Sequence, residues 1–123
     1  MRALVVDDSM TIRRIVVKAL SLVGINDTAE AGDGVEALNA LKAGTFNLIL
    51  LDWNMPKLTG IDTLRQLRAN GDKTPVIMVT TEAEKTRVIE AIKTGANDYL
   101  IKPFSPEQLA EKVRAFIPQG AAS

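Results

Sequence analysis

The sequence predicts an α/β fold in which five βα units wind into a doubly covered, five-stranded parallel sheet. Three observations predict it. The short apolar runs are continuous rather than alternating, as in strands buried on both faces of a parallel sheet. Between them the apolar spacing changes to the helical i, i+3, i+4 rhythm. Glycines fall where the first four helical stretches should stop.

Ala3-Leu4-Val5-Val6 is the first strand. Ile12, Ile15, Val16, Ala19, Leu20 and Val23 form the buried stripe of the first helix, which Gly24 closes. A second strand over Asp27–Ala31 carries only a weak pattern, and Val35, Leu38 and Leu41 mark the helix before Gly44. Leu48-Ile49-Leu50-Leu51 is the third strand, followed by a helix burying Ile61, Leu64 and Leu67 ahead of Gly71. Val76-Ile77-Met78-Val79 is the fourth strand, with Val88, Ala91 and Ile92 as the next stripe before Gly95. Tyr99-Leu100-Ile101 is the last strand. Ser105-Pro106-Glu107 reads as an N-cap with proline in the first turn of a helix burying Leu109, Val113 and Phe116. Right-handed crossovers put helices on both faces of the sheet. Residues 1–118 are expected to form one domain and 119–123 an unstructured tail.

A chain of 123 residues fits one domain, and 46% apolar residues are enough for a single core. Lys plus Arg and Asp plus Glu balance at 15 each, which argues against phosphate-backbone binding to nucleic acid and against attachment to an anionic membrane. With no Cys, thiolate catalysis, thiolate metal sites and disulfides are excluded. With no His, the commonest general base and metal ligand is missing. Chemistry therefore falls to Asp, Glu, Lys, Ser, Thr or Tyr. The first apolar run is too short to span a bilayer and no signal peptide precedes it, so a cytoplasmic, monomeric protein without membrane insertion is the expectation.

Ligands of open α/β sheets bind outside the carboxyl ends of the strands. Asp7 and Asp8 follow the first strand, Asp52 the third, Thr80 and Thr81 the fourth, and Lys102 the fifth. In the strand order 2-1-3-4-5 those strands are neighbours, so three carboxylates, a hydroxyl and an ammonium converge at one edge. Two like charges ~4 Å apart cost ~4 kcal/mol at an effective dielectric of ~20. Such a cluster requires a cation. All-oxygen ligation suits Mg²⁺, which keeps several waters and bridges to phosphate, whereas metals that favour thiolate or imidazole have nothing to bind. Carboxylates form aspartyl-phosphates, and phosphoryl transfer needs positioning and charge neutralisation more than proton chemistry.

Asp7-Asp8, Asp52-Trp53-Asn54-Met55-Pro56, Thr80 and Lys102-Pro103, in this order, resemble the receiver domain of two-component response regulators. The resemblance runs from about Arg2 to Ile117 and is strongest to the CheY-like chemotaxis branch, over Asp7–Val16 and Asp52–Pro56. It supplies part of the reason to expect the order 2-1-3-4-5 and a flavodoxin-like, CheY-like sheet. It implies that Asp52 is the phosphoacceptor. Asp8, Asp52 and the Asn54 backbone carbonyl would ligate Mg²⁺, with Asp7 acting largely through water. Lys102 would pair with the phosphoryl group; a cis Lys102–Pro103 bond would aim it there, but cis X–Pro bonds are only about 5–6% of the total and the sequence leaves the isomer open. Thr80 would move toward the phosphate, and Tyr99 would rotate inward to fill the space it leaves. Asn54 and Glu82 would tune dephosphorylation. Thr81 stands where CheY-like proteins usually carry Ala, a departure that narrows access to the site. Lys85, Val88, Tyr99 and Lys112 match partner-binding positions. The implied partners are a CheA-type histidine kinase, the flagellar motor switch protein FliM and a phosphatase.

Other readings are open at this point. Asp7, Asp8 or Ser9 is also a natural helix cap, and Trp53 reads as packing or surface. A haloacid-dehalogenase-type phosphohydrolase would need an acid two residues after its nucleophile, where this chain has Asn54. An FMN carrier would need a glycine- and hydroxyl-rich phosphate loop after the first strand, where Asp7 and Asp8 would repel phosphate. Within the family, a phosphorelay shuttle or phosphate sink is the alternative to a motor-directed switch. The expected role is a phospho-acceptor switch that assists its own phosphorylation and dephosphorylation rather than an enzyme acting on other substrates.

Overall fold

The computed structural model describes residues 1–118, so the expected tail at 119–123 lies outside the described residues. Five strands alternate with five helices: β1 Arg2–Val6, α1 Met10–Ser21, β2 Asp27–Ala31, α2 Gly34–Ala43, β3 Leu48–Leu51, α3 Gly60–Ala69, β4 Val76–Thr80, α4 Lys85–Thr94, β5 Asp98–Ile101 and α5 Pro106–Arg114. The strands pair in parallel in the order β2-β1-β3-β4-β5. The expected fold is the observed one, including the weakly patterned β2.

Side chains alternate between the two faces of a strand, and the core divides accordingly. Leu4, Val6, Ile49, Leu51, Val76 and Met78 pack with Ala37 of α2, Ile61, Leu64 and Leu67 of α3 and Ala91 of α4. Ala3, Val5, Leu48, Leu50, Ile77 and Val79 pack with Val16, Ala19 and Leu20 of α1 and Leu109 and Val113 of α5. Burial on both sides explains why β1, β3 and β4 read as unbroken apolar runs.

Helix ends follow local chemistry. The side chains of Ser9, Asp33, Thr59 and Ser105 accept hydrogen bonds from the first turns of α1, α2, α3 and α5. Ser9, rather than either adjacent aspartate, caps α1. The Gln108 side chain completes a capping box with Ser105. Gly24, Gly71 and Gly95 take positive φ beyond their helices, whereas Gly44 is extended at φ −159°.

Three expected core positions face outward: Ile15, Val35 and Ile92. Each helix rests on the sheet through a stripe narrower than its apolar pattern, so Val16, Ala37 and Ala91 take the buried places. Val23 and Phe116 lie in turns beyond their helices and are partly buried.

This packing predicts a contrast between two truncations. Leu64→Ala should lower unfolding free energy by about 2–5 kcal/mol, while Ile15→Ala should change it by about 0.5 kcal/mol or less. Urea denaturation measures both, and comparable losses would contradict the orientation of α1.

Candidate functional site

The strand ladders continue one residue past β1, β3 and β5, and that extension builds the site. Asp7 N donates to Ala31 O at 3.1 Å, Asp52 N to Val6 O at 3.0 Å, and Lys102 N to Thr80 O at 2.9 Å. Each residue is thus fixed by the neighbouring strand's backbone. Alternation gives Asp7, Asp52 and Lys102 the parity of Val5, Leu50 and Leu100, on the α1/α5 face. Thr80 and Tyr99 have the opposite parity, toward α4. The Lys102–Pro103 bond is cis.

The carboxylates of Asp7, Asp8 and Asp52 offer ligand oxygens all within 4.8 Å of one another. Asp7 and Asp52 are only 3% and 6% exposed, while Asp8 sits at the open rim. Lys102 Nζ lies 2.6 Å from Asp7 Oδ2 and 3.4 Å from Asp52 Oδ2. Among the described residues it is the one cation paired with these side chains. Three carboxylates against one ammonium leave excess negative charge in a mostly buried place. Burial pushes the Asp52 carboxyl above its ordinary value, with Lys102 the strongest opposing influence. The Asp7 charge adds to the rise, and hydrogen bonds from Thr80 and the Trp53 N–H partly offset it. This oxygen-only, charge-deficient donor set fits a small hard divalent cation.

The second half of the site centres on Glu82. Its N–H donates to Thr80 Oγ1 at 3.3 Å, its carbonyl accepts from the Tyr99 hydroxyl at 2.6 Å, and its carboxylate accepts from Asn54 Nδ2 at 3.0 Å. The two positions expected to tune the site are therefore joined directly. Tyr99 already lies inward, 9% exposed. Burial, with the Glu82 and Asp52 charges adding and Arg87 opposing, pushes its phenol up to about 12. Thr81 is exposed beside the buried Thr80.

The expected partner-binding residues divide between surface and interior. Lys85 is exposed and Val88 half-buried on α4, while Lys112 of α5 pairs with Asp98 at 3.1 Å. Tyr99 lies beneath the surface, where Ile89, Ile92 and Ile101 are the exposed apolar side chains of α4 and β5.

Two positioning residues were not read from the sequence. A Cβ on Gly60 would stand 1.9 Å from the Asp52 carbonyl oxygen, so only glycine lets α3 begin against the Asp52 backbone. The signal was Gly60 directly after a capping threonine. Arg13 donates to the Asp7 carbonyl at 2.6 Å and to Glu30 at 2.9 Å, holding the acidic turn to β2. Its position one helical turn into α1 hints at that reach, but only the register of β2 places Glu30 within it. Trp53, left open between packing and surface, is 5% exposed and belongs to the core.

The chain matches the response regulator receiver domain family over residues 3–114. It is 47% identical over 115 residues to a chemotaxis protein CheY of Pseudomonas aeruginosa, covering 92% of this chain and 93% of that one. It is 45% identical over 120 residues to chemotaxis protein CheY1 of Helicobacter pylori, covering 95% and 97%. Among solved structures, chemotaxis response regulator CheY4 of Vibrio cholerae superimposes with a TM-score of 0.86 at 35% identity, covering 94% and 98%. The receiver domain of the Francisella response regulator 1452 gives 0.87 at 37%, covering 94% of each.

Two outcomes follow from the electrostatics. The chain has one tyrosine, so the ultraviolet titration of tyrosinate reads Tyr99 alone; its midpoint should be about 12, and a midpoint near ~10 would mean an exposed phenol. Asp52 is an acid with a raised folded pKa, so its contribution to stability falls as pH rises from the unfolded value of 3.8 through the folded one. Asp52→Asn should therefore be more stable than the parent at neutral pH without divalent ions, with the advantage shrinking in acid. Added Mg²⁺ should narrow the gap by stabilising the parent. Urea midpoints across pH test this, and a less stable variant at neutral pH would contradict it.

Proposed function

The chain belongs to the response regulator receiver domain family, and from that premise we propose that it is a phospho-acceptor switch modified on Asp52 with Mg²⁺. The supporting observation is the meeting of Asp7, Asp8, Asp52, Thr80 and Lys102 at one sheet edge. Asp8, Asp52 and the Asn54 carbonyl would hold the ion directly, with Asp7 acting through water. Bound there, Mg²⁺ supplies the positive charge that lets an anionic phosphoryl group approach carboxylates.

The chain's own residues account for the rest. The Trp53 N–H donates to Asp52 Oδ1 at 2.8 Å and fixes the carboxylate's orientation. An Asp52 oxygen attacks phosphorus as the P–N bond of a donor phosphohistidine breaks, and the imidazole departs with the bonding pair. The donor supplies the imidazole that this chain lacks. Lys102, poised between Asp7 and Asp52, can transfer its pairing to a phosphoryl oxygen. Thr80 can offer its hydroxyl to another, and its movement disturbs Glu82, whose carbonyl holds Tyr99. Phosphorylation thereby biases two pre-existing arrangements of the α4–β5–α5 face.

The partner reading is a CheA-type histidine kinase upstream and the flagellar motor switch protein FliM downstream. The chemotaxis relatives support it. The face carrying Lys85, Val88, Ile89, Ile92 and Lys112 offers exposed apolar area rimmed by cations, suited to an amphipathic peptide. A phosphatase acting at the open rim near Asp8 would complete the cycle. No helix among the described residues is long and apolar enough to cross a membrane, in keeping with a cytoplasmic site of action.

Acetyl phosphate with Mg²⁺ should add one phosphoryl group, read by mass spectrometry, and Asp52→Asn should abolish it; undiminished labelling would place the acceptor elsewhere. Lys102→Ala should still bind Mg²⁺, followed by Trp53 fluorescence, but lose the target response. A FliM N-terminal peptide should bind more tightly with a phosphoryl mimic present. Equal binding in both states would contradict the motor reading in favour of a shuttle or phosphate sink.

A further inference from the structure

Helix α4 differs from the other helices at its start. Glu84 precedes it with no side-chain cap, and its first turn holds no acid but carries Lys85 and Arg87. Cations near a helix N-terminus oppose its dipole, so this turn is held poorly by its own chemistry. Its restraint comes from outside. The Arg87 guanidinium carbon lies 5.4 Å from the centroid of the Trp53 ring, inside the ~6 Å range of a cation–π contact. Arg87 also reaches Glu90 at 3.5 Å, and Glu90 pairs with Arg65 at 2.6 Å, which pairs with Asp62 at 2.8 Å.

These contacts form a closed circuit. Asp62 lies in the first turn of α3, which Gly60 seats against the Asp52 and Trp53 backbone. The Trp53 N–H grips Asp52, and its ring carries Arg87. The Arg87 charge also acts on the Tyr99 phenol, opposing the rise in its pKa. One side chain therefore rests on the residue after Asp52 and carries a charge felt by Tyr99.

We propose that Arg87 couples the acceptor loop to helix α4: resting on Trp53, it carries the state of Asp52 to the first turn of α4 and to Tyr99. Arg87 is a positioning residue, since it does not touch the acceptor. The proposal rests on Asp52 being the phosphoacceptor.

The chain has one tryptophan and one tyrosine, which report separately on the two ends of the circuit. Trp53 fluorescence reads the acceptor side. Fluorine NMR of fluorotyrosine at position 99 reads the output side. Beryllofluoride with Mg²⁺ serves as the phosphoryl mimic. In the unsubstituted chain both signals should change on loading. In Arg87→Ala the Trp53 change should persist, while the Tyr99 shift falls roughly two-fold or more. Arg87→Lys keeps the cation and should retain most of the shift. A full Tyr99 response in loaded Arg87→Ala, even with lowered thermal stability, would reduce Arg87 to a packing role and overturn the proposal. A silent Trp53 in the unsubstituted chain, together with unlabelled Asp52, would instead overturn the acceptor reading.

Discussion

Crowding of negative charge at the carboxyl edge of the sheet is the constraint on which the rest of the structure depends. Two of the three carboxylates are almost wholly buried, and among the described residues Lys102 alone is paired with them. Burial without full compensation raises the Asp52 pKa and opposes folding of the bare site. The remainder of the molecule holds that arrangement in place. A sheet buried on both faces by two apolar clusters supplies the rigidity, and ladder bonds beyond the strand ends fix the backbones of Asp7, Asp52 and Lys102. Stability is thus given up where charge is needed and recovered in the core, a distribution common at functional sites.

The same edge is also linked to the α4 side of the sheet. Strand alternation turns Thr80 and Tyr99 toward α4, while Thr80 also acts on the Asp52 carboxylate. Glu82 joins Thr80 to Tyr99 through its backbone, and its carboxylate accepts from Asn54. Any displacement of Thr80 therefore acts on the residue that holds the tyrosine hydroxyl. Helix α4, beside Thr80 and Tyr99, starts without a capping side chain.

Much of this was legible in the sequence, and the physical reasons differ by element. Strands β1, β3 and β4 announce themselves because burial on both faces requires unbroken apolar runs. The convergence of Asp7, Asp8, Asp52 and Lys102 was legible because these residues follow strand ends, where an open α/β sheet places its ligands. Ile15, Val35 and Ile92 were misjudged because a helical apolar pattern is wider than the stripe that touches the sheet. The inward tyrosine bound to the Glu82 carbonyl and the Arg87–Trp53 contact were invisible for another reason. Both depend on where α4 docks, and α4 carries no capping signal to fix its start. Gly60 was overlooked because a glycine inside a first turn looks like tolerance, not necessity, until the Asp52 carbonyl is seen against it.

The account turns on a hard cation filling the charge deficit among Asp7, Asp8 and Asp52. Crystals grown with Mn²⁺ in place of Mg²⁺ test this most directly, because manganese is located by its anomalous scattering. The account predicts one strong peak bonded to carboxylate oxygens of Asp8 and Asp52 and to the backbone carbonyl of Asn54. Density at that edge without an ion, or manganese bound only elsewhere on the molecule, would contradict it.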